Sequence, residues 1–195
     1  MLRHAAVLGG YAVFAGDDEI GTIGDFLFDH TNWQVRWLVV NTDNFLAGRK
    51  ILLPPTAVML PDPGKRRVSV EATMRQARES RDNDPHLRSV ATVTGYHIHA
   101  TDGDCGHIED FLIRDTDWSI QFLVIDTKNW WHGESILISP RTVKSIDETD
   151  GSVRLDIDRE RMKNRPAYDA ALPVHPAYEE YFRAYYNGGP PGKPR

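Results

Sequence analysis

Four side chains with metal-ligand chemistry fall within eleven residues: His97, His99, Cys105 and His107. Imidazole and thiolate are groups that zinc and nickel accept. The segment reads as a hairpin, and alternation along a strand puts His97 and His99 on one face. With the loop taken as 101–104, His107 falls opposite Ile98, on the other face of the sheet. The three histidines are therefore weak metal candidates, and the reading adopted is of surface histidines with no metal or cofactor. Asp25 and Asp110 each stand before Phe-Leu. Paired carboxylates can divide acid and base duty, but these two are expected to satisfy backbone donors at strand irregularities. Trp130-Trp131-His132-Gly133 offers contact chemistry. Two consecutive tryptophans cannot both point inward from extended chain, so one of them is a candidate hot spot for a protein partner, with His132 beside it. No Gly-rich phosphate loop, Ser-His-Asp order, Cys-x-x-Cys pair or nucleotide fingerprint occurs. No catalytic residue is assigned, and the chain is not expected to be an enzyme.

The elements that position these residues follow from an internal repeat. Over residues 10–73 against 95–158, 22 of 64 positions are identical without a gap. Gly21 returns as Gly106, Asp25-Phe26-Leu27 as Asp110-Phe111-Leu112, Trp33 as Trp118, and Pro55 as Pro140. Under this 85-residue offset Cys105 aligns with apolar Ile20 and is expected in the core, while His97 and His99 align with Ala12 and Phe14. Each copy reads as short strands parted by turns: Tyr11 to Phe14, Ile20 to Phe28, Trp33 to Val40, Arg49 to Leu53, and a last strand at Val68 and Val70. Such a succession favours a small barrel or sandwich. Charged helical stretches are expected at Thr73 to Arg81 and Asp158 to Arg165. A further helix is expected from Pro176 to about Asn187, with Tyr178, Tyr181, Phe182, Tyr185 and Tyr186 on one face. That face either docks on its own chain or serves as a contact surface, which makes Tyr178, Tyr181 and Tyr185 partner-binding candidates.

The chain has 195 residues, 41% hydrophobic and 26% charged, with a formal net charge of −5. That composition excludes a disordered, collagen-like or disulfide-rich protein. Residues 1–84 hold 10 basic and 11 acidic side chains, and residues 85–195 hold 13 and 17. Neither half gives nucleic acid an electrostatic reason to bind. Cys105 is the only cysteine, which fits a reducing cytoplasm. No apolar run approaches the roughly 20 residues that span a bilayer, so no integral membrane segment is expected. The start, Met1 to Leu8, is not read as a signal peptide, because cleavage near Ala15 would damage the first repeat.

Gly21-Thr22-Ile23-Gly24-Asp25-Phe26-Leu27 and Gly106-His107-Ile108-Glu109-Asp110-Phe111-Leu112, followed by Trp33 to Val40 and Trp118 to Ile125, and then Asn129 to Pro140 with its looser echo Asn44 to Pro55, resemble the PRC-barrel domain. The resemblance covers most of residues 10–158. It implies one small β-barrel per copy, acting as a protein-contact module. The family includes the cytoplasmic part of the photosynthetic reaction-centre H subunit and the C-terminal domain of a ribosome maturation factor. The expectation is a mainly β chain: barrel-like domains at 5–81 and 95–165, a linker at 82–94, and a C-terminal amphipathic helix and tail at 166–195. The expected role is a non-enzymatic interaction or scaffold module in the cytoplasm, docking on a larger or membrane-associated complex and self-associating. The alternative is a small-ligand or metal sensor using the second barrel.

Overall fold

The structure, a computed structural model, describes residues 1–42, 49–71, 84–127, 135–169 and 174–188. The expected helix from Thr73 to Arg81 and the Trp130-Trp131-His132-Gly133 loop lie outside the described residues. Compact packing divides the chain into two units. One comprises Arg3–Thr92 with Ile113–Ser119, and is called the first unit below; the second comprises Met1–Leu2, Val93–Leu112 and Ile120–Arg195.

The chain opens with β1 (Leu2–His4) and a single helical turn, α1 (Ala5–Leu8). The first unit then lays down β2 (Ala12–Ala15), β3 (Asp18–Asp29), β4 (Gln34–Asn41), β5 (Lys50–Leu53), β6 (Arg67–Val70) and β7 (Leu87–Ser89). They form a six-stranded sheet ordered β5-β4-β3-β2-β6, with β7 beside β3. Neighbours are antiparallel except β2 and β6, which pair in parallel. Val13, Ile23, Phe26, Phe28, Leu38 and Val40 fill its core. Residues expected as linker carry β7 and a second helical turn, α2 (Val90–Val93). Neither is long enough to leave a periodic signature.

The second unit repeats the plan with β8 (His97–Ala100), β9 (Gly103–Arg114), β10 (Ile120–Asp126), β11 (Ser135–Ile138), β12 (Val143–Asp147) and β13 (Ser152–Leu155). Its sheet runs β11-β10-β9-β8-β13-β12, and β1 completes seven strands by pairing with β9. The two ends of that path, β11 and β12, are consecutive in the chain and joined by a 3₁₀ turn at Pro140–Thr142. Ile98, Ile108, Phe111, Leu123, Ile125, Leu137 and Val153 are buried within. Two helices follow, α3 (Arg159–Lys163) and α4 (Pro176–Tyr186). Asp158 caps α3 by accepting the Arg161 N–H at 2.7 Å, and proline opens α4 at its first turn. The molecule is thus mainly β in both units, as the sequence reading expected.

One irregularity recurs in both units. The β2/β3 ladder shifts register between Val13 and Phe14, and the β8/β9 ladder shifts between His97 and His99. Each long strand carries one extra residue there, a β-bulge. Gly21 and Gly106 sit at the two bulges with φ of +151° and +128°. A Cβ at either would collide with a backbone carbonyl oxygen of the next strand, that of Asn41 or Asp126.

Candidate functional site

The bulge in β9 overturns the expected placement of His107. With unbroken alternation His107 belonged opposite Ile98. The extra residue instead brings it directly opposite His97, while His99 pairs with Asp104. His97 and His107 therefore share a face. His97 is exposed, and the His107 side chain is 44% exposed, with its Nε2 3.8 Å from Asp126 Oδ2. His99 is engaged separately, its Nδ1 lying 2.5 Å from Asp104 Oδ1. Among the described residues no group of three or more His, Cys, Asp or Glu side chains is placed to hold a metal ion.

Cys105 takes the place the repeat assigned to it. It is fully buried, and its thiol donates to the Ile98 carbonyl at 3.4 Å. Burial pushes its pKa up to about 12, so the thiol stays protonated and is a poor nucleophile or ligand.

Asp25 is committed to architecture. Its Oδ1 accepts the backbone N–H of Phe26 at 2.7 Å and of Ala91 at 2.9 Å, and its Oδ2 accepts the Ser89 hydroxyl at 2.5 Å. Ser89 in turn accepts the Thr92 N–H at 3.0 Å, so the two side chains hold the first turn of α2. Asp110, 8% exposed, accepts the N–H of Phe111 at 2.7 Å. Both carboxylates are thus tied to backbone donors of their own strands.

Two matching turns hold Trp33 and Trp118, which were expected at strand starts. Both adopt left-handed backbone, φ +59° and +57°, an unusual conformation for a bulky residue. In each turn the tryptophan N–H returns to a carbonyl four residues back, that of Asp29 at 2.7 Å or Arg114 at 2.8 Å. Asn32 and Asp117 each accept the N–H two residues ahead. The rings offset the strain by packing: Trp33 stacks on Phe28 at 5.3 Å, and Trp118, 3% exposed, lies 6.2 Å from Phe26. These turns are packing devices.

The aromatic face of α4 is turned onto its own unit. Phe182 meets Phe122 edge-on at 5.8 Å, and the Tyr186 hydroxyl donates to the Leu137 carbonyl at 2.6 Å. Tyr185, 7% exposed, donates to the Arg161 carbonyl at 2.5 Å. Burial pushes the Tyr186 phenol well above its ordinary range and raises Tyr185 as well. Tyr185 packs against α3, with both its ring and its hydroxyl engaged at Arg161. Tyr181 is half-buried and Tyr178 is 40% exposed. Tyr178 borders a cavity of about 360 Å³ with Ala167, Tyr168, His175 and Phe182. Trp130, Trp131 and His132 lie outside the described residues.

A comparison with curated proteins finds no match. A scan against family models finds one, the PRC-barrel domain, over residues 4–76. The matched span takes in α1, the bulged hairpin β2/β3, β4, β5 and β6, all within the first unit. Over residues 4–76 this chain matches the PRC-barrel domain.

Proposed function

We propose that the protein is a non-enzymatic interaction or scaffold module built from two barrels of the PRC type, with residues 95–165 as the second. The family match carries this reading, since a PRC-barrel domain points in general terms to a protein-interaction module. The 85-residue repeat supports extending it to the second unit, where the bulge glycine and the left-handed tryptophan recur at equivalent positions. The chemically capable residues also support it: Asp25 is filled with donors, Cys105 is sealed, and His99 is held by Asp104. No helix of the described residues is long and apolar enough to cross a membrane. On this reading the protein works in the cytoplasm and docks on a larger or membrane-associated complex. The contact faces are the loop carrying Trp130, Trp131 and His132 and the exposed Tyr178 end of α4.

Affinity capture with chemical cross-linking, from soluble and membrane fractions separately, tests this. Wild type is expected to hold a protein in stoichiometric amount, a second copy of the chain included. Trp131→Ala is expected to weaken that capture by about tenfold or more, the scale of an interface hot spot. Absence of any stoichiometric protein across several growth conditions overturns the reading. A second reading, a small-ligand or metal sensor using the second unit, is favoured by one observation, the cross-strand pairing of His97 with His107.

A further inference from the structure

We propose that His97, His107 and Asp126 bind a divalent transition cation of the zinc class on the outer face of the second unit. This rests on the second reading above and is independent of the interaction module. The argument begins at the backbone. His97 and His107 are direct partners on β8 and β9. The Ile108 N–H donates to the Tyr96 carbonyl at 2.9 Å, so the ladder bond flanks the histidine pair instead of joining it. A pair of this kind holds its side chains at the closer spacing, with Cβ atoms about 4.5–5.5 Å apart. The adjoining Ile98 and Ile108 are buried in the core, so both imidazoles stand on the outward face. Asp126 supplies the third group, its carboxylate 3.8 Å from the His107 ring. Two imidazoles and a carboxylate are the donor set of an open zinc site, with a fourth position left to solvent. His97 is exposed, so turning its side chain toward His107 asks only for a surface rotamer change.

Comparison of the two units gives an independent argument. In the first unit the same cross-strand row reads Arg67, Ala12, Thr22, Asn41. In the second it reads Ser152, His97, His107, Asp126. Three residues that are not metal ligands in one copy are two imidazoles and a carboxylate in the other. The arginine that would repel a cation is replaced by an uncharged serine. The sheet does not require these side chains, because the first unit builds the same row without them.

The test is titration of tag-free, full-length protein with Zn²⁺ by calorimetry, and with Co²⁺ by visible absorption, which reports coordination geometry directly. One equivalent is expected to bind. His97→Ala and His107→Ala are each expected to weaken binding by about tenfold or more, in line with loss of a ligand. His99→Ala and His30→Ala are expected to bind as wild type, the first because His99 pairs with Asp104, the second because His30 faces His86 with ring centroids 5.7 Å apart in the first unit. His97 is exposed, so its alanine variant keeps the fold and isolates the ligand effect. Absence of stoichiometric binding overturns the proposal. So does binding that survives both the His97 and His107 variants, or that His99→Ala or His30→Ala removes equally.

Discussion

Gly106 shows how much one residue decides. It occupies the β9 bulge with φ +128°, against the Asp126 carbonyl. Gly106→Ala therefore meets both backbone strain and a collision, and is expected to cost about 2 kcal/mol or more of stability in urea denaturation. Gly10→Ala, where open space surrounds the position, is expected to cost less. Asp29 makes a prediction about pH. Burial pushes its carboxyl up, but the Thr31 hydroxyl and N–H and the Arg36 guanidinium together outweigh burial and hold it below the ordinary range. A depressed folded pKa contributes stability above the unfolded carboxyl value of about 3.9, and that contribution is lost as pH falls through the folded value. Denaturation midpoints taken from pH 7 to 3 are expected to fall at the acid end, and Asp29→Asn is expected to flatten that fall. Legibility at this scale was uneven. The repeat placed Cys105 in the core through its alignment with Ile20, and both positions are buried. The face of His107 was missed because strict alternation assumes an unbroken ladder, and a bulge is invisible to a period of two. The left-handed tryptophans were missed for a related reason: nothing in a bulky aromatic announces positive φ, and the turn hydrogen bonds and ring packing that hold it there are tertiary and conformational features.

At the level of elements, α4 repays its own periodicity. The spacing of its aromatic residues showed that one side must be buried, and Phe182, Tyr185 and Tyr186 are. Spacing alone could not say which surface would cover them, since an apolar stripe fits a neighbouring chain as well as its own. Phe182→Ala removes the ring that meets Phe122 and is expected to destabilise the protein by about 3–5 kcal/mol in the same urea assay. The start of α4 was legible too, with Pro176 opening it. The turns α1 and α2 and the strand β7 were not. Each spans three or four residues, too few for a period, and α2 is held by Asp25 and Ser89, brought together from 64 residues apart. Such elements exist through tertiary contacts, which local sequence does not record.

For the whole molecule, the internal sequence repeat was the most readable pattern, because 22 identities at one offset need no structural knowledge. The parallel pairings β2/β6 and β8/β13 were not readable, since they join strands more than 50 residues apart. The unit boundaries also depart from the repeat boundaries: Ile113–Ser119, the turn of the second repeat, packs with the first unit. A cut between the repeats would therefore strip the first unit of Trp118, which lies against Phe26. The sealed thiol has a different use. Because Cys105 is the only cysteine and is fully buried, a thiol reagent added to the native protein has a single target, reached only when the second unit opens. The rate of labelling counts those openings, so the molecule carries its own clock for native-state breathing.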